Sequence, residues 1–203
     1  MRLLSVILLI SSLQIYGQTW DVKNHTNNRR KAIIADSVLI SDYVYSEVSE
    51  LSEGKAYVAK GDLYAYIDSK GKELTPYVFA EANNFTNGFA IVGDSFGISL
   101  LNSRMQLILP FEFTQVRLPQ FGLVVVQLNT GLWGAFDTLG NQKIPFVYDL
   151  PPNILNLEHI IVRREEAYGV VNDCNEIVFN CAYQYITSSG MGYRNGKHLR
   201  LFK

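Results

Sequence analysis

Residue types that build chemical sites are scarce in this chain. It has two cysteines, three histidines and three methionines among 203 residues. The histidines, His25, His159 and His198, lie far apart, whereas a zinc site needs cysteines or histidines about two to five residues apart. The sequence also lacks a glycine-rich phosphate loop. It therefore predicts neither a metal site nor a cofactor.

The chain has no excess of charge of one sign, and none of its apolar runs is long enough to span a membrane. The formal net charge of −1 is too balanced to indicate nucleic acid or an anionic membrane as the partner. The one long apolar run, residues 3–13, is shorter than the roughly 20 residues that a membrane-spanning helix needs. We therefore expect no membrane span and a soluble mature protein.

The N-terminal residues have the pattern of a secretory signal peptide. Arg2 supplies a short positive region, residues 3–13 form the apolar region, and Gly17 offers a small residue at a cleavage point. A buried N-terminal strand or helix is the alternative interpretation. We predict cleavage near Gly17 and a location in the periplasm or outside the cell.

The two cysteines are predicted to remain unbonded, although an exported protein could oxidise them. Cys174 falls in a predicted turn, and Cys181 lies six residues beyond the end of that turn. An extended segment of this length places their Cα atoms roughly 20 Å apart. A disulfide requires a separation within about 7 Å.

A unit of about 35 residues recurs along the chain. Each copy begins with an aromatic residue, any residue and a second aromatic residue, although the first position is Cys181 in the last copy. The starts are spaced by 34 or 35 residues, and self-similarity at a fixed period is the signature of a repeat protein. The second aromatic position, which we name the middle aromatic column, holds Tyr45, Phe79, Phe113, Tyr148 and Tyr183.

Each copy is predicted to contain three strands. Alternation such as that in Gly88, Ala90 and Val92 predicts a first strand with one buried face. A loop of variable length leads to a second strand, and a turn such as the one from Asp68 to Gly71 ends it. A short third strand then runs to the end of the copy, often at a proline. The aromatic residues assigned to the second strands are Tyr64, Phe96, Trp133 and Tyr168.

These motifs resemble the WG repeat family, bacterial β repeats named for Trp-Gly. Trp133-Gly134 carries the full dipeptide, and the resemblance spans residues 43–189. It implies an array of β-hairpins, no known catalytic residues and no substrate class. The further matching segments are Phe96-Gly97, Tyr168-Gly169, Gly88 to Val92, Ile67-Asp68, Gly71-Lys72 and Ile144-Pro145.

The predicted fold is all-β, with tandem three-stranded repeats stacked as a solenoid-like array. Each copy has too few apolar residues to bury its own face, so neighbours must cover one another. A propeller-like ring is the alternative. The expected segments are a signal peptide (1–17), a polar lead-in (18–42), repeats (43–76, 77–110, 111–145, 146–180 and a partial copy 181–189) and a closing hairpin around Asn195-Gly196 (190–203).

Enzymatic activity is not expected from these patterns. Asp68 and Asp137 could suggest a carboxylate pair for acid–base chemistry. Both occupy the same repeat position at the start of a turn, which explains them structurally. The segment Ser188-Ser189-Gly190 lacks the strand–turn–helix context of a nucleophile elbow. A hydrolase is therefore the remotest functional class.

Binding is the expected function. Repeated surfaces, variable loops and the absence of a convergent polar site favour a monomeric envelope module that binds another protein. A carbohydrate or cell-wall binding module is the alternative, with Trp133 as an exposed platform for a sugar ring. The competing interpretation of Trp133 is core packing, because its column holds an aromatic residue in every copy.

Overall fold

The computed structural model of the protein describes residues 19–25 and 30–203, so the predicted signal peptide lies outside the described residues. All regular structure in the described part is β, which confirms the predicted all-β repeat fold. The twenty strands are β1 (Trp20–Asn24), β2 (Lys31–Ala35), β3 (Val38–Leu39), β4 (Glu47–Val48), β5 (Lys55–Lys60), β6 (Leu63–Asp68), β7 (Glu81–Ala82), β8 (Phe89–Gly93), β9 (Ile98–Asn102), β10 (Phe113–Val116), β11 (Leu123–Leu128), β12 (Trp133–Asp137), β13 (Gln142–Tyr148), β14 (Asn153–Ile154), β15 (Ile160–Arg164), β16 (Ala167–Val171), β17 (Ile177–Tyr183), β18 (Tyr185–Ile186), β19 (Met191–Arg194) and β20 (Lys197–Arg200).

The chain divides into two compact units. Unit 1 ends at Phe85 and unit 2 comprises Thr86–Lys203. In unit 1, β1–β3 form one antiparallel sheet and β4–β6 form another. In unit 2, strands β8 to β13 are hydrogen bonded in sequence order, followed by the sheets β14–β17 and β18–β20. Neighbours in each sheet are therefore neighbours in sequence, as hairpin repeats require.

Every copy closes its sheet with residues of the following copy. The middle aromatic column pairs with the second hairpin strand of the preceding copy, 15 residues upstream in four cases. The third strand consequently does not end at the copy boundary, because β13 continues beyond Pro145 to Tyr148. Pro145 lies where the β12–β13 register shifts, a bulge in which its missing N–H is tolerated. The pairs are Tyr64–Phe79, Ile98–Phe113, Trp133–Tyr148 and Tyr168–Tyr183.

The segment predicted as a polar lead-in forms a further hairpin unit. Strands β1 and β2 pair over five residues, and β3 folds back on β2. Lys31 pairs with Tyr45 in the way that other second strands pair with the middle aromatic column. Ala32, Ile33 and Ala35 are buried, so the apolar run of β2 was the sequence signal for this strand.

Hydrophobic clusters form where two copies meet within a unit. In unit 2, Val125 and Trp133 of the third copy pack with Ile160 and Val162 of the fourth. In unit 1, Ile33 packs in one cluster with Tyr45, Val58 and others. Burying this apolar surface between copies supplies the main stabilisation, about 25 cal/mol per Å² removed from water.

The two residues that form the turn of the β15–β16 hairpin have backbone angles in the left-handed region. Glu165 has a φ of 52° and Glu166 a φ of 65°, where a non-glycine residue costs roughly 1–2 kcal/mol. Asn-Gly is the preferred pair for such a turn. Replacing both residues, Glu165→Asn with Glu166→Gly, should raise the free energy of unfolding by about 1–2 kcal/mol in urea titrations.

The matched control for this turn is Glu165→Gln with Glu166→Gln, which removes both charges and keeps the strained backbone. Its free energy of unfolding should change by less than about 0.5 kcal/mol. Equal stabilisation by the two double variants would show that charge repulsion, and not backbone strain, limits this hairpin.

Candidate functional site

Trp133, the one tryptophan of the Trp-Gly signature, lies in the core. Its side chain is 5% exposed and belongs to the cluster formed with Val125 and Ile160. The guanidinium carbon of Arg117 lies 5.3 Å from the centroid of its ring. A sugar cannot stack on a ring that is covered in this way, so Trp133 has a packing role.

The glycine of the signature makes room for the closing strand. A Cβ atom at Gly134 would lie 2.7 Å from the carbonyl oxygen of Ile144 and 3.0 Å from Cδ1 of Phe146. A Cβ atom at Gly169 would lie 2.7 Å from the carbonyl oxygen of Phe179. In both sheets the register shifts next to the glycine. Glycine is therefore required by close backbone approach at a bulge.

The structure places Phe96 outside the aromatic column to which we assigned it. Ile98, and not Phe96, pairs with Phe113. Phe96 lies in a turn in which its N–H donates to Oδ1 of Asp94 at 2.7 Å, and its side chain is 83% exposed. The Phe96-Gly97 dipeptide imitates the signature in sequence. Because of the turn at Asp94, Phe96 lies two residues before Ile98, the residue that pairs with Phe113.

The remaining aromatic positions are packing positions. Within the described residues, no exposed and coplanar platform arises from either predicted aromatic set. Tyr64, Tyr168 and Tyr183 are half-buried. The four buried members of the middle aromatic column are Tyr45, Phe79, Phe113 and Tyr148, each at most 5% exposed.

Tyr64 makes a polar contact through its hydroxyl group, which Trp133 lacks. Its hydroxyl donates to Oε2 of Glu47 at 2.9 Å, and the hydroxyl of Tyr57 donates to Oε1 at 3.4 Å. The hydrogen bond to Glu47 raises the pKa of Tyr64, and burial raises the pKa of Tyr57. Both phenols therefore remain protonated donors at neutral pH. Because they occupy both carboxylate oxygens, this cluster stabilises the sheet β4–β6.

Asp68 and Asp137 act as turn residues. Oδ1 of Asp68 accepts hydrogen bonds from the backbone N–H groups of Lys70 and Lys72, each at 2.9 Å. Oδ1 of Asp137 accepts equivalent bonds from Leu139 and Asn141, also at 2.9 Å. The same carboxylate oxygen thus closes the turn in both copies. Neither aspartate is arranged with the other as an acid–base pair.

An aromatic cluster with two exposed side chains and one half-buried side chain lies on the last sheet, where the sequence predicted only a hairpin. Tyr185, Tyr193 and His198 stand directly opposite one another on β18, β19 and β20. The Tyr185 and Tyr193 rings are stacked, with centroids 5.3 Å apart and planes 7° apart. The His198 ring lies 4.9 Å from that of Tyr193, and its Nδ1 is 3.3 Å from the Tyr185 hydroxyl. We name these three side chains the aromatic face.

The aromatic face belongs to a basic segment. Residues 177–203 contain no aspartate or glutamate, and Arg194, Lys197, Arg200 and Lys203 give them four positive charges. Tyr185 is 40% exposed, and every residue of β20 is exposed. This local charge contrasts with the net charge of −1 of the whole chain. The run of 27 residues without a carboxylate was the sequence signal for this surface.

The part of the chain that the structure describes contains no group of three or more histidine, cysteine, aspartate or glutamate side chains able to hold a metal ion. No helix there is long and apolar enough to cross a membrane. Cys174 and Cys181 are free thiols, and burial raises the pKa of the Cys181 thiol.

Consecutive antiparallel hairpin units, each closed by the next copy at an aromatic position, define an all-β tandem repeat protein. Residues 64–93 match the family model described as WG containing repeat. The match confirms the predicted resemblance to this family over residues 64–93.

A search of the curated proteins found no match. Solved structures with a similar arrangement include a crystal structure of HIRA(644–1017), with 12% identity, a TM-score of 0.37 and coverage of 63% of this chain and 49% of that one. The computationally designed Ika8 protein has 11% identity, a TM-score of 0.40 and coverage of 89% and 65%. PorZ, a surface component of the type-IX secretion system of Porphyromonas gingivalis, has 10% identity, a TM-score of 0.39 and coverage of 84% and 28%. The chain therefore spans less than two thirds of the length of each.

Proposed function

We propose that this protein is an exported, non-enzymatic module that binds an acidic protein through the aromatic face. The observation that carries the proposal is the cluster of exposed Tyr185 and His198 around half-buried Tyr193, within a segment of four positive charges. Binding hot spots are enriched in tyrosine and arginine, and complementary charge accelerates association. Repeat units supply a rigid frame for such a surface.

The stacking of the rings favours a protein over a glycan. A pyranose needs an open ring face, but Tyr193 has the Tyr185 ring at 5.3 Å and the His198 ring at 4.9 Å. The central ring of the cluster, Tyr193, therefore offers its edge and its hydroxyl group. A carbohydrate or cell-wall ligand remains the alternative function, and the binding experiment includes it.

Binding should depend on the two tyrosines of the aromatic face. The purified protein is immobilised, proteins retained from the host envelope are identified, and each is purified and titrated by calorimetry. Tyr185→Ser with Tyr193→Ser should weaken binding of the true partner at least about tenfold, as loss of a hot spot does. Leu139→Ser, at a position 83% exposed on the β12–β13 turn, is the matched surface control.

Raising the ionic strength should slow association with the wild type, because salt screens exposed charges. Unchanged affinity of the double tyrosine variant would contradict the proposed surface. Retention of peptidoglycan or an acidic glycan, abolished by the same variant, would replace the protein partner with the alternative.

Export rests on the N-terminal sequence pattern. Mass spectrometry of the protein isolated from its host should find an N-terminus near Gln18 in the periplasmic or culture fraction. The physical reason is the short apolar region followed by a small residue at Gly17. Recovery of a chain that begins at Met1 in the cytoplasmic fraction would contradict export and leave the binding surface to be tested separately.

A further inference from the structure

In second hairpin strands of this fold, a residue near the start of the strand pairs through its backbone with the middle aromatic column of the next segment. The N–H of Tyr64 donates to the carbonyl oxygen of Phe79 at 2.8 Å, and the N–H of Phe79 donates back at 3.3 Å. Lys31 and Tyr45 exchange the same two bonds at 2.8 and 3.3 Å. An aromatic residue of the next segment therefore fills this position in each case.

His198 occupies the equivalent position in the last hairpin. In the fourth copy, Tyr168 is the second residue after the turn and pairs with Arg163 on its inner side. In the last hairpin, His198 is the second residue after Asn195-Gly196 and pairs with Tyr193. Strands alternate between inward and outward backbone groups, so the N–H and C=O of His198 point away from β19. Arg200, two residues on, points the same way.

Strand β20 has a neighbour on one side within the described residues. Its sheet has the order β18–β19–β20, and all four residues of β20 are exposed. Open strand edges are templates for pairing with another chain. Leu199, 42% exposed, stands where other copies have a small residue such as Gly134 or Gly169, so an added strand would run on without the bulge.

We propose that β20 accepts an extended segment of the partner protein as an additional antiparallel strand. The segment has an aromatic residue opposite His198, as the five internal closing segments have at this position, and acidic side chains that face Lys197 and Arg200. The internal repeats show what covers this edge, and the absence of carboxylates from residues 177–203 sets the charge of the occupant. This inference rests on the proposed function and names its mode of recognition.

A peptide with the sequence of residues 73–82 is the probe. It contains the Tyr77 and Phe79 pair that closes an internal sheet and carries two glutamates. Added to the isotope-labelled protein, it should bind and slow the exchange of the His198 and Arg200 amide protons in NMR spectra. A peptide with serine at both aromatic positions should bind at least about tenfold more weakly.

The protein variant that tests the edge is His198→Pro. Proline removes an outward N–H, whereas the ladder bonds to β19 come from Lys197 and Leu199. Its matched control, His198→Val, keeps the N–H and also lacks the ring. We expect peptide affinity to fall at least about tenfold for proline relative to valine, with the remaining amide spectrum unchanged.

Equal affinity of the proline and valine variants, or failure of the wild type to bind the peptide, would overturn strand addition. If the tyrosine double variant still loses the envelope partner in that case, the proposed function stands without this mode of recognition. Self-association of the protein that disappears in His198→Pro would assign the edge to a second copy and overturn the assignment to a different protein.

Discussion

Replacement of Trp133 by alanine should lower the free energy of unfolding of unit 2 by about 3–5 kcal/mol. The side chain is 5% exposed and is shared by the cores of two copies, so its removal opens a cavity between them. Urea unfolding followed by circular dichroism is the appropriate measurement, because the substitution also removes a fluorophore.

Phe96→Ala is the matched control, since sequence resemblance assigns Phe96 to the same column. With 83% of its side chain exposed, its loss should change the free energy of unfolding by less than about 0.5 kcal/mol. A large loss of stability at Phe96 together with a small one at Trp133 would show that the strand register described here is wrong.

Gly134→Ala should destabilise the same unit by about 2–3 kcal/mol, although it adds a single methyl group. The new Cβ atom would lie 2.7 Å from the Ile144 carbonyl oxygen, so the closing strand must move. Removing the nearby ring with Phe146→Ala should not rescue stability, because the clash with the backbone remains. Thermal unfolding of the single and double variants provides the comparison.

Gly131→Asn is the control for the glycine prediction. Gly131 has a φ of 85° and open space around its Cβ position, and asparagine tolerates this backbone region. Its free energy of unfolding should change by less than about 1 kcal/mol. A cost for Gly134→Ala no larger than that of this control would mean that the bulge adapts without strain.

The repeat period and the middle aromatic column could be predicted because both follow from residue spacing. Tyr45 and Phe113 of that column are buried, which is why the position keeps an aromatic side chain. The second-strand column was less predictable, because Phe96-Gly97 imitates Trp-Gly while the Asp94 turn decides the register. The hydrogen bonds of this turn determine the strand register, whereas the similarity of the dipeptide to Trp-Gly does not.

The aromatic face could not be predicted from the aromatic columns. Its residues become neighbours only through pairing across β18, β19 and β20, which depends on the register of two turns. Asn195-Gly196 predicted one of those turns, but not which side chains would share a face. The sequence did not predict strands β1, β2 and β3, because the apolar run of β2 is short and lies among charged residues.

Each sheet is closed by residues of the following copy, so the boundaries of the 35-residue sequence copies are poor places to divide this protein. A cut at Pro145 would separate β12 from Tyr148, the residue that pairs with Trp133. The upstream fragment would then end in a strand with an incompletely paired edge. A cut at a hairpin tip such as Asn129 to Gly131 would leave that pairing within one piece. Modular cassettes for lengthening or shortening this protein should therefore be spliced at the tips, so that each junction falls in solvent and every closing strand stays in one piece with the second hairpin strand that it pairs with.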